Sequence, residues 1–122
     1  MARILVVDDE PEVLDFFQTE LTALYHEVET ALNGRETIEK MKTHRPHLML
    51  LDVKMPVMDG FQTLSEAKKM NPRLVVVLVT ATAQIDIASR AIQQGADEYI
   101  TKPVDLEKLN RILTTKISEL LG

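Results

Sequence analysis

Two uninterrupted apolar runs, Leu48-Met49-Leu50-Leu51 and Leu74 to Val79, restrict what this chain can fold into more than any other feature. Both are far too short to span a membrane. The first lies between Pro46 and a Pro56 and Asp59-Gly60 turn signal, so it reads as a strand buried on both faces, and such strands belong to parallel sheets. It delivers Asp52 to its C-terminal tip. In open α/β sheets that edge binds ligands, in the crevice where strand order reverses.

The rest of the chain supplies the other units. Ile4 to Val7 is a short strand whose exit is the acidic run Asp8-Asp9-Glu10. Pro11 opens a helix with Leu14, Phe17, Leu21 and Leu24 on one stripe. Glu27 to Ala31 alternates polar and apolar residues, as an exposed edge strand does, and Asn33 with Glu36 offers an N-cap for a second helix running to about Thr43. Asp59-Gly60 starts a third helix with Phe61, Leu64 and Ala67 inward, ended by Asn71-Pro72. After the Leu74 to Val79 strand comes Thr80, then a helix over about Gln84 to Gln94 with Ala88, Ala91 and Ile92 on one face and Gly95 as its C-cap. Glu98 to Thr101 is the fifth strand, followed by Lys102-Pro103. Leu106, Leu109, Leu113, Ile117 and Leu120 mark a closing helix from about Asp105.

Strict βα alternation predicts a single doubly wound five-stranded parallel sheet, order 2-1-3-4-5 and flavodoxin-like, with five helices on its two faces. One domain spanning residues 1–122 is expected, since 122 residues bury a sufficient core without staples. The absence of Cys fits a reduced, cytoplasmic setting and excludes a thiolate metal site. A net charge of −5 argues against nucleic-acid binding by this domain, and neither a secretion signal nor a membrane segment is visible.

Four of the five predicted strands end in a reactive polar group: Asp8 and Asp9, Asp52, Thr80 and Lys102. The second, bare strand is the edge farthest from the fifth in this order, so the fold gathers these residues into one cluster. Three converging carboxylates repel one another unless a cation sits among them, and hard oxygen donors suit Mg²⁺. His26, His44 and His47 lie away from the strand tips, which disfavours Zn²⁺, and are expected on the surface. Met41, Met49, Met55, Met58 and Met70 read as gap-filling apolar residues. An aspartate beside Mg²⁺, a lysine and a hydroxyl is an arrangement for in-line phosphoryl transfer, with the carboxylate as nucleophile.

The chain resembles, over its whole length, the receiver domains of bacterial two-component response regulators. The resemblance rests on Val7-Asp8-Asp9-Glu10, Leu51-Asp52-Val53-Lys54-Met55-Pro56, Asp59-Gly60, Thr80-Ala81, Gly95-Ala96-Asp97 and Tyr99-Ile100-Thr101-Lys102-Pro103. It implies that Asp52 accepts phosphate from the phosphohistidine of a sensor histidine kinase or phosphotransfer protein. It also implies that Asp9 and Asp52 ligate Mg²⁺ (or Mn²⁺) with the Lys54 carbonyl, with Asp8 behind them orienting a metal-bound water. Lys102, Thr80 and Ala81 would border the phosphoryl group, with Thr80 and Tyr99 as a switch pair. The face of the first helix would dock the kinase, and the Lys102–Pro103 bond would be cis. Arg90, Asp97, Glu98, Lys108 and Arg111 would form a mixed-charge surface suited to a phosphorylation-dependent homodimer.

Such a domain is a phosphoacceptor and not a turnover enzyme. A haloacid-dehalogenase-like phosphatase would carry a second acid where Lys54 stands. A flavin carrier on the same fold would not place Asp8-Asp9 against a phosphate. Whether the chain stands alone or is part of a longer regulator is open in the sequence.

Overall fold

The structure, a computed structural model, describes residues 2–52, 60–81 and 85–121. Its elements are β1 (Arg3–Val7), α1 (Pro11–Ala23), β2 (Glu27–Ala31), α2 (Gly34–His44), β3 (Leu48–Asp52), α3 (Gly60–Met70), β4 (Val75–Thr80), α4 (Ile85–Gln93), β5 (Glu98–Thr101) and α5 (Leu106–Leu121). The strands form one five-stranded sheet, β2-β1-β3-β4-β5, with every neighbouring pair parallel. The expected order and elements are therefore present. Leu74 lies outside β4, and the strand takes in Thr80.

Side-chain alternation sorts the three central strands between two layers. Leu5, Val7, Met49, Leu51, Val76 and Leu78 pack on one face with Met41 of α2, Leu64 and Ala67 of α3 and Ala91 of α4. Ile4, Val6, Leu48, Leu50, Val75, Val77 and Val79 pack on the other with Leu14, Phe17 and Leu21 of α1 and Leu109 and Leu113 of α5. β3 and β4 have no exposed position because both faces are covered, whereas the edge strands β2 and β5 bury only part of theirs. Each fully buried Leu contributes roughly 1.5–3 kcal/mol of burial.

The caps set where each helix leaves the sheet. Pro11 occupies the first turn of α1, where its missing N–H costs nothing. Asn33 Oδ1 accepts the Glu36 N–H at 2.9 Å, and Glu36 Oε1 accepts the Leu32 N–H at 2.9 Å, a reciprocal cap for α2. Asp105 Oδ1 accepts from the Glu107 and Lys108 amides at 3.0 and 3.2 Å, starting α5. Gly95, at φ 117°, ends α4 as expected.

Several expectations need correction. Leu24 is 43% exposed, because α1 stops at Ala23 and the chain turns before the stripe is completed. Ile92, expected beside Ala91, lies one residue round the helix and faces outward. Met70 is also exposed. Asp59, Met55, Met58 and Gln84 lie outside the described residues, as does the side chain of Ala88. The three histidines are half-buried rather than on the surface, and each bonds to backbone near the start of β1. Among the described residues, no helix is long and apolar enough to cross a membrane.

Candidate functional site

Parallel register brings the strand tips level. Val7 lies opposite Leu51, Asp52 opposite Val79, and Thr80 opposite Thr101. Asp8 and Lys102 each follow one residue beyond a strand's end, so the polar groups expected there converge at one edge. The Lys102 N–H donates to the Thr80 carbonyl at 2.8 Å, which ties the β5 exit to β4. The Lys102–Pro103 peptide bond is cis, as the resemblance implied.

The electrostatics at this edge are unbalanced. Asp8 and Asp52 are buried, at 2% and 6% exposure, and the Lys102 ammonium stands 4.0 Å from a carboxylate oxygen of each. Asp8 Oδ1 accepts the Glu10 N–H at 2.9 Å, and its own amide donates to the Ala31 carbonyl at 3.1 Å. Burial still pushes the Asp8 carboxyl up from 3.8 to about 6, and the neighbouring charges of Asp52 and Asp9 push it the same way. The Glu10 amide and Lys102 only partly oppose that rise. Asp9 and Glu10 are exposed, and carboxylate oxygens of Asp8, Asp9 and Glu10 lie within 4.8 Å of one another.

This donor set fits a hard divalent cation. It consists of carboxylate oxygens, one of them on Asp8, whose carboxyl burial raises to about 6, with Lys102 as the cation near it among the described residues. Glu10 joins the acidic group, as the run Asp8-Asp9-Glu10 in the sequence signals. Lys54, whose carbonyl was the third expected ligand, lies outside the described residues.

Thr80 is 1% exposed, and its hydroxyl donates to the Ala81 carbonyl at 3.3 Å. Tyr99 is half-buried on β5 and packs, with Phe61 of α3 and Ile87 of α4, against the rim of the core layer under α2, α3 and α4. Beside Lys102 a groove of about 530 Å³ opens between α1 and the connection from β5 to α5, lined by Glu10, Val13, Phe16, Pro103 and Val104 among others. Phe16, at 44% exposure, is an unusually exposed apolar side chain for a helix that buries its neighbour Phe17.

The expected dimer surface is partly engaged within the chain. Asp97 accepts from the Val76 N–H at 2.8 Å and from Lys68 Nζ at 3.0 Å, and Lys68 Nζ also donates to the Leu74 carbonyl just before β4. Arg90 lies over the Phe61 ring, and Glu98 accepts the Tyr99 N–H at 3.3 Å. Lys108 and Arg111 are exposed on α5.

The fold is a five-stranded flavodoxin-like sheet of order 2-1-3-4-5, and acids, a threonine and a lysine gather at its C-terminal edge. The family model described as the response regulator receiver domain matches residues 4–114, and the chain belongs to that family of two-component receiver domains. It is 38% identical over 111 residues to the regulatory protein AtoC of Escherichia coli, covering 91% of this chain and 24% of that protein. The crystal structure of the receiver domain of NtrX from Brucella abortus superimposes with a TM-score of 0.89 at 32% identity, covering 94% of this chain and 98% of that one. A response regulator receiver domain protein from Clostridium thermocellum gives 0.92 at 32% identity, with both chains wholly covered. The chain spans about a quarter of the length of the curated relatives it matches.

Proposed function

We infer that Asp52 is the phosphoacceptor of this receiver domain and takes its phosphoryl group from the phosphohistidine of a sensor histidine kinase or phosphotransfer protein. The observation that carries the reading is that two buried carboxylates, Asp8 and Asp52, flank one lysine at the edge of the sheet. A carboxylate oxygen of Asp52 forms the new bond to phosphorus as the phosphorus–nitrogen bond breaks, and the departing imidazole keeps the electron pair and picks up a proton. Lys102 meets the phosphoryl oxygens with its ammonium, and the Thr80 hydroxyl exchanges its bond to the Ala81 carbonyl for one of them. Asp9, Asp52 and the Lys54 carbonyl would hold Mg²⁺ or Mn²⁺, with Asp8 orienting a bound water. When bound, the cation neutralises charge on the transferring group. The groove beside Phe16 suits the docking of the phosphodonor against α1, where its apolar floor is open beside Lys102.

The domain acts as a signalling acceptor that takes part in its own phosphorylation and dephosphorylation, working in the cytoplasm. Thr80 and Tyr99 relay the phosphorylated state to the α4, β5 and α5 surface. Relatives named as transcriptional regulators imply an output beyond this domain, whose acidic balance is unsuited to nucleic acid.

Incubation with radiolabelled acetyl phosphate and Mg²⁺ should give one acid-stable, base-labile label per chain, abolished by a chelator and by Asp52→Asn. Undiminished labelling of Asp52→Asn would reject Asp52 as the acceptor.

A further inference from the structure

The Arg90 guanidinium carbon stands 5.2 Å from the centroid of the Phe61 ring. That is within the range where a cation is attracted by the ring's quadrupole. The contact crosses between helices: Phe61 is the second residue of α3, and Arg90 lies in the last turn of α4. Phe61 is half-buried at the rim of the core layer, so its ring is fixed on one side by packing while Arg90 covers it from the other.

The described side chains of α4 include few that are buried. Among its described side chains only Ala91 is fully buried, with Ile87 partly so, and Asp86, Ser89, Ile92 and Gln93 are exposed. The helix begins five residues after Thr80, the hydroxyl placed to respond to charge on Asp52. Phe61, Ile87 and Tyr99, from three different elements, all pack against the same core cluster, so an inward shift of Tyr99 alters packing that Phe61 and α4 share.

We propose that Arg90 stacked on Phe61 is a latch that holds α4 in its resting position and sets how readily phosphorylation shifts this domain. The inference rests on the receiver reading above. A contact made in the resting state and lost in the other favours rest by its own free energy, and removing it makes the shifted state easier to reach. Arg90 is exposed, so the contact is at the weak end for its kind, a population change of about two- to fivefold.

Wild type, Arg90→Ala, Phe61→Leu and the double variant should be titrated with beryllofluoride, a phosphoryl mimic, in the presence of Mg²⁺. Amide hydrogen exchange is followed without either ligand. Phe61→Leu keeps an apolar side chain on the core rim, and Arg90 is on the surface, so both variants retain the fold. Each single variant is expected to bind beryllofluoride about two- to fivefold more tightly and to exchange its α4 amides faster by a similar factor, with α1 unchanged. The double variant is expected to match the singles, because one contact is lost only once. Wild-type affinity in the variants, with unchanged α4 exchange, overturns the latch alone. Failure of the wild type itself to take up beryllofluoride overturns the receiver reading and the latch together.

Discussion

The two ends of β1 handle their polar groups in opposite ways. At its N-terminal end the Ala2 N–H donates to His26 Nδ1 at 3.2 Å and the Arg3 N–H to His47 Nδ1 at 3.0 Å. His44 Nε2 reaches the Ile4 carbonyl at 3.2 Å, and Arg3 Nε donates to the Arg45 carbonyl at 2.9 Å. Every one of these polar groups finds a partner within the chain. At the C-terminal end Asp8 is more deeply buried, and it faces Asp52 and Asp9 with Lys102, at 4.0 Å, as its cationic neighbour among the described residues. One end spends its polar groups on holding the strand in place, and the other leaves charge for a ligand to balance.

The sharpest way to break this contrast is to substitute one residue at each end. His47→Ala leaves the Arg3 amide without its acceptor and should cost about 1–3 kcal/mol in urea unfolding. Asp8→Asn keeps an oxygen for the Glu10 amide while removing the charge that burial and Asp52 oppose. In chelator at pH 8 it should stabilise the protein, by on the order of 2 kcal/mol. Mg²⁺ should raise the unfolding midpoint of the wild type and do so far less in Asp8→Asn. Equal destabilisation by both substitutions would show that the two ends do not differ as described.

The ends should also respond to pH with opposite signs. His26 and His47 accept amide protons only as neutral rings. Burial holds both below their usual 6.5, reinforced at His26 by the amino terminus. At His47 the charge of Arg3 adds to burial, as do His44 and the amino terminus to a lesser degree, while Glu27 works against them. The unfolded chain therefore binds more protons there, so their stabilisation is complete above 6.5 and is lost as pH falls through the lower folded values. Asp8, raised from 3.8 to about 6, binds its proton more readily in the folded state. Its penalty is in force above about 6 and disappears as pH falls toward 3.8. Metal-free wild type should lose stability just below pH 6.5 and then level off as Asp8 is protonated. In Asp8→Asn the decline should continue without that levelling, and urea midpoints measured from pH 8 to 4.5 would separate the two curves.

The sequence made one of these ends legible and hid the other. Apolar runs ending in Asp52, Thr80 and Lys102 expose the C-terminal edge, because a strand's period and its end are written locally and the fold then brings the tips together. The histidine clamps leave no such trace. His26 and His47 sit in connections and His44 ends α2, and the bonds they make span 24 to 44 residues to backbone atoms whose identity no sequence pattern records. The same holds for Asp97, which clasps Val76 and Lys68 across 21 and 29 residues, and for Arg90 on Phe61. Helical periodicity found the buried stripe of α1 but not its end, since Leu24 continues the pattern after the helix has stopped.

That end of α1 gives the smallest and most local test of the contrast. The Tyr25 N–H donates to the Thr22 carbonyl at 2.9 Å and the His26 N–H to the Leu21 carbonyl at 3.3 Å, the paired bonds of a Schellman turn. The turn places Tyr25 at φ 69°, where a Cβ costs about 1–2 kcal/mol and glycine is the usual occupant. Tyr25 is 82% exposed, so truncating it gives up little packing. Glycine's greater freedom in the unfolded chain takes back roughly 0.5–1 kcal/mol. Tyr25→Gly should therefore stabilise by about 0.5–1 kcal/mol, whereas Tyr25→Ala, which keeps the Cβ, should not. Because the turn leads directly into His26 and the clamped start of β1, the gain belongs to the self-satisfied end of the sheet. Mg²⁺ affinity at the Asp8 end should stay at its wild-type value in both variants, and a change in it would show that the two ends are mechanically coupled through β1.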